Sequence, residues 1–320
     1  MKDSNKANKS SSTIEKSSSC LFQNLKSTII LKKILNNMQK WKSLEMIKYN
    51  NKTQERLNIN VNVYKEYSEK YSSIELEIIP TDSYFSGKYI SFDEKDESYY
   101  HIYLNNSKEE IKRKNLRKTE NISKINIIID YQILSFEFLF YCCDDIKSIT
   151  FTKFYRNNVT NMKSMFNRCY NLKEINFAKF NTDNVINMCC MFYKCSSLNE
   201  INLSNFNTHN VTDMRCMFSG CSSLQEIKLP NFNTNKVQDM TGMFEGCSSL
   251  EELNLSNFNT INVVNMNSMF EGCSYLKDIN LSSFNFNNEQ YMYGMFAGCS
   301  NSLKNKIKSE FKKIKEEAFN

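Results

Sequence analysis

Two hydrophobic periods alternate through the C-terminal half of the chain, and the pair recurs every 26 residues. Leu224, Ile227, Leu229 and Phe232 read L-x-x-I-x-L-x-x-F. The alternation at 227 and 229 predicts a short strand with both side chains on one face. Leu198/Ile201/Leu203/Phe206, Leu250/Leu253/Leu255/Phe258 and Leu276/Ile279/Leu281/Phe284 repeat it. Asn207-Thr208, Asn233-Thr234 and Asn259-Thr260 follow as turn or cap signals, because their side chains satisfy nearby backbone groups. The period then lengthens to about 3.6 at Val211, Met214, Met217 and Phe218, and again at Val237, Met240, Met243 and Phe244, which predicts one or two helical turns. Gly220-Cys221-Ser222-Ser223 turns the chain toward the next strand.

The repeat is strict. Met-Phe stands at 165–166, 191–192, 217–218, 243–244, 269–270 and 295–296, with a cysteine three residues after each Phe. A strand, a turn and a helical turn in such a unit match a leucine-rich-repeat coil. No unit buries its apolar face alone, so the units must stack. The expected fold class is α/β: a leucine-rich-repeat solenoid of 26-residue coils, with a parallel sheet on the concave side and short helices or 3₁₀ turns on the convex side, preceded by a small α+β module. Phe140, Cys143, Ile146, Ile149, Phe151 and Phe154 supply a degenerate first unit, and Lys124–Asp130 is expected as the preceding strand. Leu303, Ile307, Phe311, Ile314 and Ala318 have helical spacing and predict a C-terminal capping helix over 301–320.

The stretch NTHNVTDMRCMFSGCSSLQEIKLPNF, from Asn207 to Phe232, resembles the BspA-type leucine-rich repeat, also met as the mycoplasma-lipoprotein repeat. The resemblance covers roughly 140–300. It implies a solenoid used for adhesion or protein–protein recognition, often on bacterial and protist surfaces, with no catalytic residues to transfer. The abundance of Asn, Lys and Ile fits a protist source.

Ahead of the repeats the reading is coarser. Residues 1–20 form a basic Lys/Ser/Asn-rich leader expected to be disordered. Residues 21–60 are expected to be helical, with Ile30, Ile34, Leu35 and Met38 on one face, followed by Trp41, Leu44, Ile47 and Leu57. The part over 27–58 vaguely resembles an F-box, without the usual Leu-Pro start; a helical packing module is the plainer reading. Residues 61–133 are expected as a small α+β module, in which Tyr89–Phe92 and Tyr99–Leu104 flank the acidic turn 93–97 like a hairpin. The repeats then fill 134–300. Residues 1–60 hold 12 basic and 4 acidic side chains, whereas 140–300 hold 12 and 14, so the formal charge of +6 is unevenly placed. The basic part is read as a solvated leader; an acidic membrane surface or nucleic acid would be its alternative partner. No secretory h-region, lipobox or span of about 18 apolar residues is present. The expected location is cytoplasmic, with the cell surface as the alternative implied by the resemblance.

Twelve cysteines are the sharpest chemical temptation. Cys143, Cys169, Cys195, Cys221, Cys247, Cys273 and Cys299 fall in one column and read as reduced core residues. Stacked units would bring neighbours near disulfide range, so pairing stays open. Cys142, Cys189, Cys190 and Cys216 break the column. No C-x-x-C, H-E-x-x-H, G-x-S-x-G or phosphate-binding loop occurs, so no enzyme activity, metal or cofactor is expected.

The strand positions facing away from the core remain. One column holds Glu174, Glu200, Glu226, Glu252 and Asp278; the next holds Asn176, Asn202, Lys228, Asn254 and Asn280. A ladder of carboxylates fits a basic protein partner, a cation or plain hydration. The expected function is a monomeric, non-enzymatic scaffold that binds a protein partner on this concave face, with no nucleic acid involved. A ubiquitin-ligase adaptor working through 27–58 and a surface adhesin are the alternatives.

Overall fold

The computed structural model describes residues 27–36, 51–81, 87–117, 120–286 and 290–320. The leader and the segment with Met38, Trp41, Leu44 and Ile47 lie outside them. The chain divides into two compact units, 1–72 and 73–320.

In the first unit, α1 spans Thr28–Asn36, α2 Asn51–Leu57 and α3 Val61–Tyr71. The Asn60 side chain caps α3 by accepting the Asn62 and Val63 amides at 3.0 and 3.2 Å.

The second unit opens with a six-stranded sheet. Its strands are β1 (Ile74–Pro80), β2 (Tyr100–Leu104), β3 (Glu110–Ile111), β4 (Ile125–Ile129), β5 (Ile146–Lys153) and β6 (Glu174–Asn176), in the order β3-β2-β4-β1-β5-β6. β1 runs antiparallel to both β4 and β5, whereas β5 and β6 are parallel. Two sequence expectations fail here. Residues 124–130 do contain a strand, but it does not precede the first repeat strand in the sheet. β4 and β5 are parallel, and β1 fills the gap between them. Tyr89–Phe92 and β2 do not form a hairpin either. The Tyr89 amide donates to the Lys114 carbonyl and the Ser91 amide to that of Leu139, while both edges of β2 are taken by β3 and β4. Residues Glu94–Tyr99 form a 3₁₀ turn.

Four further three-residue strands follow: β7 (Glu200–Asn202), β8 (Glu226–Lys228), β9 (Glu252–Asn254) and β10 (Asp278–Asn280). β7 pairs with β8 and β9 with β10, both parallel and without register shift. A second parallel ladder links Ser135, Asn161, Asn187, Asp213, Asp239, Asn265 and Tyr291, each 26 residues from the next.

The expected helical turns at Val211–Phe218 are instead tight turns. Met217 N–H bonds the Met214 carbonyl, Ser219 that of Cys216 and Cys221 that of Phe218, always three residues back. A left-handed residue interrupts each run before a four-residue helical bond can form. One left-handed column is Phe138, Ser164, Cys190, Cys216, Gly242, Ser268 and Gly294; the other is Cys142, Arg168, Lys194, Gly220, Gly246, Gly272 and Gly298. Glycine is most at ease there. At Gly298, with φ +70°, an added Cβ would also lie 3.2 Å from the Gly272 Cα.

Just before each turn the later unit donates to the earlier one, as Ile186 does to Thr160 and Thr212 to Ile186, but within the turns themselves the stacking hydrogen bonds have one polarity. Phe136, Phe138, Phe140 and Cys142 donate to the carbonyls of Asn161, Lys163, Met165 and Asn167 in the next unit at 2.8–3.1 Å, and the pattern continues along the array. A one-way ladder leaves carbonyls at its start and amides at its end, and buried backbone groups of either kind need partners. At the start, Ser91 donates to Leu139, the register equivalent of Met165. At the end, Gly294 and Phe296 donate to Glu317 and Ala318 at 2.8 and 2.7 Å. The tail is therefore not one helix. α4 spans Asn301–Glu310, and Glu316–Phe319 is a 3₁₀ turn that takes the place of a further repeat.

The buried side chains of this second unit form one apolar cluster from Ile74 to Phe319. Phe140, Phe166, Phe192, Phe218, Phe244, Phe270 and Phe296 stack in file with centroids 5.3–5.8 Å apart. The column cysteines are buried beside them, and each from Cys169 to Cys299 donates its thiol to the Phe carbonyl 29 residues earlier, at 2.9–3.2 Å. The eleven described cysteines are all free. Buried Thr208 bonds reciprocally across units. Its hydroxyl donates to the Asn233 carbonyl at 3.0 Å and accepts the Asn233 amide at 2.7 Å, and Thr182, Thr234 and Thr260 repeat this.

Candidate functional site on the strand face

Each short strand buries its central Ile or Leu and exposes the residues on either side. Only Ile227, in β8, is half-buried. This alternation brings Glu174, Glu200, Glu226, Glu252 and Asp278 to one face, with Asn176, Asn202, Lys228, Asn254 and Asn280 beside them. Glu200 lies directly opposite Glu226, and Glu252 opposite Asp278. Glu174 is opposite Ser148, so the acidic column begins at β6. A groove of about 510 Å³ is lined by Glu174, Asn176, Glu200, Asn202, Glu226 and Lys228, among others. A second, of about 640 Å³, lies over Glu226, Glu251, Glu252, Asn254 and Tyr275.

The two columns differ in freedom. Asn176, Asn202, Asn254 and Asn280 each accept the backbone amide two residues on, from Ala178, Ser204, Ser256 and Ser282, at 2.9–3.1 Å. Their carbonyl oxygens thus hold the turn that ends each strand. The β8 repeat departs from this at both positions together. Pro230 has no amide to cap, and Lys228 stands where asparagine is otherwise found. The Lys228 ammonium instead lies 3.0 Å from the Glu226 carboxylate.

The acidic column is open at Glu174, Glu200 and Glu252 and partnered at its far end. There Lys306 of α4 places its ammonium 2.5 Å from the Asp278 carboxylate. That hydrogen bond holds the Asp278 carboxyl below the usual carboxylate range. Sequence reasoning missed Lys306, whose part in the site depends on where α4 packs. No cluster of three or more His, Cys, Asp or Glu among the described residues is arranged to hold a metal ion. Nor is any described helix long and apolar enough to cross a membrane.

The profile of a family described as "Mycoplasma protein of unknown function, DUF285" matches residues 134–229 and 225–318. The chain belongs to this family. The matched residues hold every strand from β5 to β10 and the segment Asn207–Phe232, so the resemblance to BspA-type repeats stands. Short parallel strands alternating with turns give these DUF285 repeats a leucine-rich-repeat-like arrangement, within a chain of mixed α/β content. No curated protein matches the chain. Two solved structures are similar to it. A leucine-rich repeat protein from Bacteroides ovatus ATCC 8483 is 19% identical over 57% of this chain and 47% of its own, with a TM-score of 0.34. The T. pallidum leucine-rich repeat protein is 16% identical over 55% of this chain and 74% of its own, with a TM-score of 0.28. The chain therefore spans about half the length of the Bacteroides protein.

Proposed function

We propose that the repeats form a solenoid whose concave strand face binds the basic segment of a protein partner, and that the chain acts as a non-enzymatic, monomeric interaction scaffold. The observation that carries this reading is the Asp278–Lys306 contact. One member of the acidic column already receives an ammonium group, and Glu174, Glu200 and Glu252 offer the same chemistry to a Lys or Arg from outside. Stacked like charges disfavour folding by about 0.2–1 kcal/mol per pair, so an exposed ladder of them fits a surface that a cation relieves. Partner-facing residues are Glu174, Glu200, Glu226 and Glu252, with the amide nitrogens of Asn176, Asn202, Asn254 and Asn280 as donors. Lys228 divides the groove and sets register.

A zero-length carbodiimide tests the reading in cell extract, because it joins only carboxylates and amines already in contact. The reading expects partner lysines joined to Glu174, Glu200 or Glu252, with the internal Asp278–Lys306 link as a positive control. Partner links confined to carboxylates outside the column would overturn it. The proposal sets the scaffold in the cytoplasm, with surface display as the alternative, and protease shaving of intact cells distinguishes them.

A further inference from the structure

The cysteines outside the core column form a cluster of their own. Cys190 and Cys216 occupy the same left-handed position in consecutive repeats, with φ 55° and 52°. The Cys190 amide donates to the Arg215 carbonyl at 2.8 Å, which locks the two units in register beside Cys216. Equivalent residues of hydrogen-bonded parallel strands lie about 4.8 Å apart, inside the roughly 4.4–6.8 Å Cα window of a disulfide. Both residues are half-buried. Behind them the buried Cys189 sulfur lies 3.5 Å from that of Cys190, and the Cys216 thiol donates to the Thr241 carbonyl of the following repeat at 3.7 Å. The three cysteines thus sit together on the turn ladder, in adjacent repeats.

We propose that Cys216 and Cys190 are a reversible redox site, in which a hydroperoxide oxidises Cys216 and Cys190 closes a disulfide between adjacent repeats. The Cys216 thiolate attacks the outer peroxide oxygen and the O–O bond breaks. A sulfenic acid forms, and the leaving hydroxide takes up the proton Cys216 released to become water. The Cys190 sulfur then attacks the Cys216 sulfur, an S–S bond replaces the S–O bond, and hydroxide leaves with the Cys190 proton as a second water. Two thiols and one hydrogen peroxide give one disulfide and two waters. The sulfur pair loses two electrons and the peroxide gains them.

The assignment of roles follows from the surroundings. Among the described cysteines whose thiols are shifted, only that of Cys216 is held below the ordinary value, chiefly by the neighbouring Cys190 side chain, with burial opposing. Burial pushes the core-column thiols the other way, to about 12 at Cys221 and about 11 at Cys299. The thiolate is the reactive form, so the column is protected where Cys216 is not. Cys189 cannot close a relaxed ring with Cys190, since adjacent Cα atoms are only about 3.8 Å apart.

The test treats the reduced full-length protein with hydrogen peroxide, alkylates it without unfolding and maps the cysteines by mass spectrometry. The expected product is a Cys190–Cys216 link that dithiothreitol reverses, formed roughly tenfold faster than any oxidation of Cys221 or Cys247. Cys216→Ser should abolish the link. Cys190→Ser should leave Cys216 as a sulfenic acid that dimedone traps. Serine already holds this left-handed position at 164 and 268, so both variants should fold, and a melting curve checks that. If either misfolds, the map of the parent protein decides alone. Cys216 left unoxidised, or oxidised no faster than the column cysteines, would overturn the proposal.

Discussion

The ring of Phe319 stacks on that of Phe296, with centroids 5.6 Å apart and planes 21° from parallel. This extends the phenylalanine file by one place, although Phe319 follows Phe296 by 23 residues where the repeats use 26. Ala318-Phe319 stands in for Met-Phe, and the Ala318 carbonyl receives the Phe296 amide as a methionine carbonyl would. Residues 316–319 cover the last repeat by imitating one.

Phe319→Ala should therefore act as a core truncation, costing about 3 kcal/mol in chemical denaturation. In a stacked array the loss should be felt locally. Hydrogen exchange should quicken at 291–299 and stay unchanged at 135–143. Equal protection of the last repeat in variant and parent would mean that the tail does not cap it.

The columns of Met, Phe, Cys and strand Leu/Ile were legible because one spacing forces one environment, and their burial follows directly. The tail was not legible. Leu303 and Ile307 do lie on a helix, but helical spacing beyond 310 hid residues whose backbone is needed as an acceptor. The order of β1 and β4 was also hidden, since Ile-rich alternation states that a segment is a strand and not which strand lies beside it. Cys190 and Cys216 broke the column because a turn, and not the core, set their position. On the strand face the columns were read from alternation alone. The binding of Asn oxygens to local amides and the arrival of Lys306 depend on turn geometry and on α4.

Thr234→Val keeps the shape of a buried side chain and removes its hydroxyl. That hydroxyl serves both the amide and the carbonyl of Asn259, each at 2.8 Å. An unsatisfied buried group costs about 1–3 kcal/mol, and urea denaturation should show a loss of that size. A neutral result would mean that water reaches Asn259.

The cysteine column makes stability depend on alkaline pH. In the folded protein burial raises the Cys221 thiol from an ordinary 9.0 to about 12. The folded state thus holds protons that the unfolded chain releases above pH 9. This contribution is complete below about pH 9 and is lost as pH rises toward 12. Buried Tyr89 and Tyr100, also shifted upward by burial, act in the same sense. Melting temperatures should fall over that range, and Cys221→Ala should flatten the fall while lowering stability at pH 7. A fall no shallower in the variant would exclude the thiol as a cause.

The scaffold reading rests on the acidic column, and isothermal calorimetry with a synthetic oligolysine peptide tests it most directly. The whole chain carries +6, so a polycation must find a local acidic surface to bind at all. Three proteins are compared at low and high salt: the parent, Glu200/Glu226/Glu252→Gln, and a charge-matched control, Glu94/Glu97/Glu109→Gln. The column variant should fold as well as the parent, lose roughly tenfold or more in affinity at low salt and lose most of its salt dependence, while the control should bind like the parent. Unchanged binding by the folded column variant, or an equal loss in the control, would contradict the scaffold reading.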